Sequence, residues 1–338
     1  MSLNKNKKKV SFFVRKPFNL GNFSLENYYR QLTKALSQEF DIKIHVLPYH
    51  SKGVLRRFIN CLYALVNQSE VNHVFGDIHY ITIFLKKERT ILTILDCISY
   101  NSSKGIKRVL FKWFWFKLPI RNSKFITTIS RSVENELIEK FNVKNKQISV
   151  IYFTIFASDP IKKIKNKNSN DEFKILQIGT AKNKNIKNLA LALKDLKNIG
   201  LTVLGKLNTE DKDTLINAKI NFTEIDSPLK NIQVYDLYQN HDLISFISNY
   251  EGFGLPILEA NYFKKPLITS NVFSMPEIAG NSGFFVDPEN ISEIRSTIEK
   301  IYNKSIDTKN KIRNGEKNLL RFNFSNQVDQ YTFLYKSI

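Results

Sequence analysis

The chain is poor in the residues that build redox and metal chemistry. Of 338 residues only two are cysteine, Cys61 and Cys97. Two cannot build a disulfide framework and neither has metal-ligand spacing, so a reducing compartment fits best. The five histidines form no HExxH and no cluster, so no metal is expected. Glycine is scarce, with 12 in all. None of them forms GxGxxG after an opening strand or a GxxxxGK[ST] loop, which removes the dinucleotide fingerprint and the P-loop. No apolar run approaches the roughly 18 residues of a spanning helix. The lysines from Lys5 to Lys9 precede VSFFV, a run too short for a signal-peptide core. A cytoplasmic home follows, with any membrane contact peripheral on the inner leaflet. No internal repeat is present.

Positive charge is abundant. The formal net charge is +20, and residues 1–160 hold 26 Lys and Arg against 11 Asp and Glu, a local +15. A basic half implies an anionic partner, or else a solvated basic surface.

Short apolar strands alternate with helical patterns. VSFFVRK, IKIHVLP, VNHVFG, TILTILD and KFITTIS read as strands, with helices at 25–36, VLRRFINCLYALV and NELIEKF. The polar stretch PIKKIKNKNSNDE (160–172) reads as a linker. The alternation then restarts with FKILQIG, a helix from Asn185, LTVLGK, INFTEID and DLISFIS. Two α/β domains of the doubly wound, Rossmann-like kind are expected, at 1–160 and 173–318, with a terminal aromatic-rich helical segment at 319–338. Ligands in such sheets sit at the carboxyl ends of the strands, and two such domains facing each other make a cleft there.

The string NYEGFGLPILEA (249–260) follows a predicted strand and enters a helix at Leu255 or Pro256. Proline suits a first helical turn. Gly252 and Gly254 allow a tight corner and close backbone approach. A helix N-terminus offers free N–H groups and about half a positive charge, which is an anion site. Glu251 and Glu259 flank that site, and carboxylates accept hydrogen bonds from hydroxyls. A nucleotide-diphosphate sugar has hydroxyls on both sides of its phosphates. Glu259 then takes the ribose diol and Glu251 the sugar. The plainer alternative is a helix with glutamates favouring its dipole.

The pattern S-x-x-EGFGLP-x-x-EA resembles the signature of retaining glycosyltransferases of family four, which have the GT-B fold. VNHVFGDIHY, FITTISRSVENELIEKF, ILQIGTAKNKNIKNL and SMPEIAGNSGFFVDPENISEI match in order, so the resemblance covers nearly the whole chain. It implies two Rossmann-like domains, an N-terminal acceptor domain, a C-terminal nucleotide-sugar domain, and a last helix that crosses back to the N-domain.

By this resemblance Glu251 contacts the donor sugar and Glu259 the ribose, while Gly252, Phe253, Gly254 and Leu255 present backbone to sugar and diphosphate. Lys184 matches the phosphate-binding lysine, and the catalytic pair is Glu251 with Lys184. Gly179 and Thr180 close the first strand of the donor domain. Thr180 stands where many relatives have arginine, and Lys206 is a candidate substitute. Gly21 stands where the family's first loop nears the donor, or is a turn glycine. Asp96 ends a strand where relatives show histidine-aspartate, with Leu95 in the histidine slot. His79 lies at the cleft or is a packed loop histidine. The implied reaction moves a hexosyl unit from a nucleotide-sugar donor to a saccharide or lipid-linked acceptor in cell-surface glycan (polysaccharide or lipopolysaccharide) biosynthesis. It proceeds with retention by front-face displacement, without metal or cofactor. Leu95 and Thr180 favour the alternative of a non-catalytic binding subunit of the same fold. A sugar-nucleotide epimerase shares the architecture.

KGIKRVLFKWFWFKLP (104–119) reads as an interfacial helix. At 100° per residue Ile106, Val109, Leu110, Trp113 and Phe116 share one face. Lys104, Lys107, Arg108 and Lys112 lie opposite, with Phe111 and Trp115 among them. Aromatics interleaved with cations suit an anionic membrane surface, at about 1 kcal/mol per cation. The alternative packs Trp115 and Phe111 under a neighbouring loop. Nucleic acid is not expected, because the transferase signature already accounts for the chain.

Overall fold

The computed structural model describes residues 7–17, 24–143, 148–156, 172–226, 229 and 231–338. The chain divides into two compact units, Met1–Phe153 with Phe324–Ile338, and Thr154–Asn323. The linker expected at 160–172 lies, except for Glu172, outside the described residues.

The first unit holds β1 (Lys9–Val14), β2 (Asp41–Val46), β3 (Val71–Phe75), β4 (Thr90–Ile94), β5 (Phe125–Thr128) and β6 (Ile148–Val150). All pair in parallel, in the order β2-β1-β3-β4-β5-β6. β3 and β4 are buried along their whole length, as expected where both sheet faces are covered. The helices are α1 (Ser24–Leu36), α2 (Val54–Val66), α3 (Ile98–Asn101), α4 (Gly105–Leu110), α5 (Leu118–Arg121) and α6 (Arg131–Phe141). α6 starts at Ser130, whose side chain accepts from the Val133 N–H. It ends at Asn142 in the left-handed region.

The second unit holds β7 (Phe173–Ile178), β8 (Ile199–Leu204), β9 (Asn221–Ile225), β10 (Leu243–Phe246), β11 (Leu267–Ser270) and β12 (Gly283–Val286). The order is β12-β11-β10-β7-β8-β9, again parallel. Numbered within the unit and read from the β9 edge, this is the 3-2-1-4-5-6 order of the dinucleotide-binding fold. The direction of winding reverses between β7 and β10, so the loops after these two strands flank the switch point. Helices α7 (Ile186–Leu193), α8 (Thr209–Asn217), α9 (Asn231–Asn240), α10 (Leu255–Tyr262), α11 (Ser274–Ala279), α12 (Ile291–Tyr302) and α13 (Thr308–Leu319) belong here. So does the 3-10 turn Leu320–Phe322, whose Phe322 is buried against Phe253.

The last helix, α14 (Phe324–Lys336), belongs to the first unit. Gln327, Tyr331, Leu334 and Tyr335 form its buried face, at helical spacing. Tyr28 Oη donates to Gln327 Oε1 at 3.0 Å. His73 lies within 2.7 Å of Tyr335 Oη through Nδ1 and of Thr93 Oγ1 through Nε2. Burial pushes the His73 pKa down to about 3. This imidazole is a neutral structural link between β3, β4 and α14.

The stretch 104–119 departs from its expected geometry. Between α4 and α5, residues Phe111–Lys117 form a π-helix. Its i→i+5 pattern breaks the 100° phase on which the helical wheel depends. Trp113 is 48% exposed, whereas Trp115 is 5% exposed and Phe116 is buried. Trp115 therefore does not face a membrane. Its ring packs on Tyr80 at 4.8 Å with the Arg57 guanidinium above it at 4.7 Å, and its Nε1 donates to Asp77 Oδ1. Phe111 is partly buried beside it. In this register Trp115 and Phe116 pack against Tyr80 and His79 of the neighbouring 3-10 helix His79–Phe84. Lys104, Lys107 and Arg108 remain exposed and Lys112 half-buried.

Candidate functional site

At the switch point of the second unit the loops after β7 and β10 bring two charged groups together. Lys184 Nζ lies 2.6 Å from Glu251 Oε1. Both side chains are mostly buried, 17% and 16% exposed, so the contact is screened less than a surface pair. Asn183 Nδ2 donates to the same Oε1 at 3.0 Å and to Tyr250 O at 2.8 Å. The Asn249 N–H closes the second loop on the first by donating to Asn183 O at 2.8 Å. Lys184 Nζ also stands 4.5 Å from the Phe246 ring centroid. The cation is thus held by a carboxylate and a ring face. Among the described residues, Glu251 Oε2 carries no hydrogen bond.

Glycines make the approach possible. Gly179 ends β7 at φ +82, and a Cβ there would meet Lys184 Cε at 3.0 Å. The lysine crosses over bare backbone to reach Glu251. Gly254 sits at φ +118 directly before α10, where a Cβ would meet Ile257 Cδ1 at 3.0 Å and Phe246 Cε1 at 3.3 Å. This position admits only glycine without strain.

The corner itself is pinned from behind. Ser274 Oγ lies 2.9 Å from Glu251 O and 2.7 Å from Phe253 O, one hydroxyl serving both carbonyls. Phe273, just before it, has φ 51 and ψ −132, a costly conformation for a residue with a side chain. Its ring packs on Tyr250 at 4.7 Å. Phe253 turns its own ring into the core against Phe322. Leu255 opens α10, with Pro256 in the first turn. Pro256 brings no N–H, and the Ile257 N–H is taken by Gly254 O at 3.0 Å. The corner therefore offers an anion fewer amides than a four-amide helix start.

Glu259 lies one turn into α10. Tyr238 Oη donates to its Oε2. Burial raises the Glu259 carboxyl above the usual 4.5, opposed by the Tyr238 hydrogen bond. Its Oε1 carries no hydrogen bond among the described residues.

The other expected site residues fall elsewhere. Thr180 packs against Gly205, where a Cβ would meet its Oγ1 at 3.0 Å. Lys206 does not join the Lys184 cluster. It is exposed and reaches toward Asp226 at 3.6 Å. His79 is no open cleft residue: it is 2% exposed, Nδ1 lies 2.9 Å from Trp115 O, and burial lowers its pKa. Asp96 follows β4 and accepts from the Ile98 N–H at 2.9 Å, a local turn role. Gly252 lies in the bend after Glu251, partly buried, and Gly21 lies outside the described residues. Four contributors escaped the sequence reading: Asn183, Phe246, Tyr238 and Ser274. Asn183 alone carried a signal, as the neighbour of Lys184 in the same loop. The others act through partners 21 or more residues away in sequence.

Among the described residues, no group of three or more His, Cys, Asp or Glu could hold a metal ion.

Residues 158–318 match the family model described as glycosyl transferases group 1. The chain is 27% identical over 238 residues to the O-antigen chain mannosyltransferase RfbU of Salmonella typhimurium, covering 65% of this chain and 62% of that one. It is 27% identical over 222 residues to the capsular polysaccharide biosynthesis glycosyltransferase CapM of Staphylococcus aureus, covering 57% of each. The chain thus spans about three fifths of the length of these curated relatives. A glycosyltransferase from Rickettsia africae superposes with a TM-score of 0.71 over 98% of both chains at 19% identity. The two-unit α/β fold is therefore the GT-B fold.

Proposed function

We propose that the chain is a retaining glycosyltransferase. It moves a hexosyl unit from a nucleotide-diphosphate sugar to a saccharide or lipid-linked acceptor in cell-surface glycan biosynthesis. The observation that carries this reading is the Lys184–Glu251 pair at the β7/β10 switch point, within the segment that matches the group 1 model. The relatives' names, an O-antigen and a capsular enzyme, support a glycan product.

An ammonium has three N–H donors. One serves Glu251 Oε1, which leaves two for diphosphate oxygens. As the bond from the anomeric carbon to the diphosphate breaks, charge grows on the leaving group. A fixed cation stabilises that charge without reorganising. Glu251 Oε2 accepts from a sugar hydroxyl, and Glu259 Oε1 from the ribose. The Lys184 contact offsets the repulsion between the Glu251 carboxylate and the diphosphate. The acceptor hydroxyl attacks from the face the diphosphate leaves, and its proton passes to the departing phosphate oxygen. Positioning and electrostatics then supply the rate, and neither metal nor cofactor takes part.

A thermal-shift screen of UDP, GDP, ADP and their sugars tests donor binding, since a ligand of the native state raises the melting temperature. The matching donor is then given to the protein with candidate acceptors, and the anomer formed is read by NMR. A shift with one nucleotide and a retained anomer support the proposal. No shift with any of them, or an inverted product, overturns it.

A further inference from the structure

The first unit exposes apolar side chains on two helical segments that adjoin the same 3-10 helix, His79–Phe84. In α2 all residues but Arg56, Arg57 and Asn60 are apolar. One face is used inward by Cys61 and Ala64, yet Leu55 is 71% exposed and Phe58 50%. A helix apolar nearly all round is normally covered on all sides. In the second segment Ile106 is 80% exposed, and Trp113 and Phe114 are about half exposed. Arg57 of α2, stacked over the Trp115 ring, ties the two segments together. Phe58 meets Phe84 at 6.2 Å on the shared 3-10 helix.

The charge carried by these two segments themselves has one sign. Residues 42–69 contain four Lys and Arg and no Asp or Glu. Residues 97–133 contain eight and again none. No described helix is long and apolar enough to cross a membrane. We propose that the outer faces of α2 and of α4 with its π-helical continuation form one docking surface for an anionic lipid bilayer. Aliphatic and aromatic side chains enter the headgroup boundary while the flanking cations meet lipid phosphates. A second copy of the chain fits poorly, because this face would bring an excess of cations against cations, and Asp77 beside it is already bound to Trp115 Nε1. Single-stranded nucleic acid fits the cations and Trp113. It leaves Leu55, Ile106 and their aliphatic neighbours without a partner, since bases stack on rings. This inference does not depend on the donor site in the second unit.

The test uses the full chain with phosphatidylglycerol vesicles, phosphatidylcholine vesicles, and a single-stranded RNA. The protein sediments with the anionic vesicles at about 50 mM salt and is largely released near ~500 mM, where screening is short-ranged. The emission of Trp113 shifts to the blue, and Trp113→Phe abolishes that shift because Trp115 is already buried. The double variant Leu55→Ser with Phe114→Ser loses sedimentation but keeps its melting temperature, since both side chains are exposed. Lys104→Gln with Lys112→Gln weakens partitioning by roughly 25-fold, at about fivefold per cation. Failure to bind anionic vesicles at low salt overturns the proposal. So does vesicle binding that ignores Leu55 and Phe114. RNA binding, or dimerisation lost in the same variants, overturns it when the vesicle arm is blank.

Discussion

The two units have six parallel strands each and use them differently. In the second unit the polar atoms gather where the winding reverses, at Lys184, Glu251, Asn183 and Ser274. In the first unit the buried polar atoms serve cohesion: His73 joins Thr93 to Tyr335, and Thr93 Oγ1 continues to Thr127 Oγ1 at 2.6 Å. Three quarters of the chain's positive excess, +15 of +20, lies in the first 160 residues. Similar architecture thus gathers its buried charged pair at the strand ends in one half and its surface cations in the other. What differs is which side chains stand at the strand ends and which faces of the helices go uncovered.

Breaking the contrast on the second-unit side gives the largest expected effect. Glu251→Gln and Lys184→Ala each lower sugar transfer by about 10²–10³, the usual loss of a preorganised charge at a reacting centre. Measured melting of the first unit stays unchanged. Transfer retained within tenfold in both variants would remove these residues from the chemistry.

Gly254→Ala comes next. A methyl at φ +118 meets Ile257 and Phe246, so the second unit loses about 2–3 kcal/mol in chemical denaturation. Ala at Gly179 is felt differently, because it meets the flexible Lys184 stem. Nucleotide affinity falls there more than stability does.

On the first-unit side, Tyr335→Phe leaves His73 Nδ1 without its partner and costs about 1–3 kcal/mol. Donor binding is unchanged in the same variant. Acid probes the same link. His73 has a folded pKa of about 3 against an ordinary 6.5, so the unfolded chain binds more protons between those values. Stability is full above pH 6.5 and declines on acidification toward 3, by at most about 1.4 kcal/mol per pH unit for one group. A flat profile over that range would mean that His73 is not buried neutral.

The smallest expected effect concerns Glu259. Its carboxyl is raised by burial, so it protonates above the ordinary 4.5 as pH falls. The proton weakens it as the hydroxyl acceptor proposed above. Donor affinity measured by calorimetry therefore drops at a higher pH than for an exposed glutamate, and Glu259→Gln removes that inflection.

Much of this was legible in the primary structure. The bounds of α2 and the cores of the longer strands follow from apolar periodicity, and the corner at 249–260 follows from its glycines, proline and acids. β6, β11 and β12 are not legible, because three or four residues carry little pattern unless, as at β5 and β10, the apolar run extends beyond the strand. The ion pair joins residues 67 apart, a distance no local signal spans. The wheel over 104–119 separated apolar from basic side chains, but a constant angle per residue cannot follow a π-helical segment. Trp115 and Phe116 are therefore both buried while Trp113 is half exposed. The uncovered side of α2 was invisible for a related reason: composition says a helix is greasy, not whether anything rests on it.

The place of α14 bears on how the molecule comes off the ribosome. The half it completes begins at the amino end, while its closing piece is made some 170 residues later, after the whole of Thr154–Asn323. During synthesis the contiguous second half is free to fold first, and the earlier half waits with its tyrosine-binding groove open. A stalled or nicked chain lacking Tyr331 and Tyr335 would present that bare groove to chaperones and proteases, although Lys184 and Glu251 had already been made.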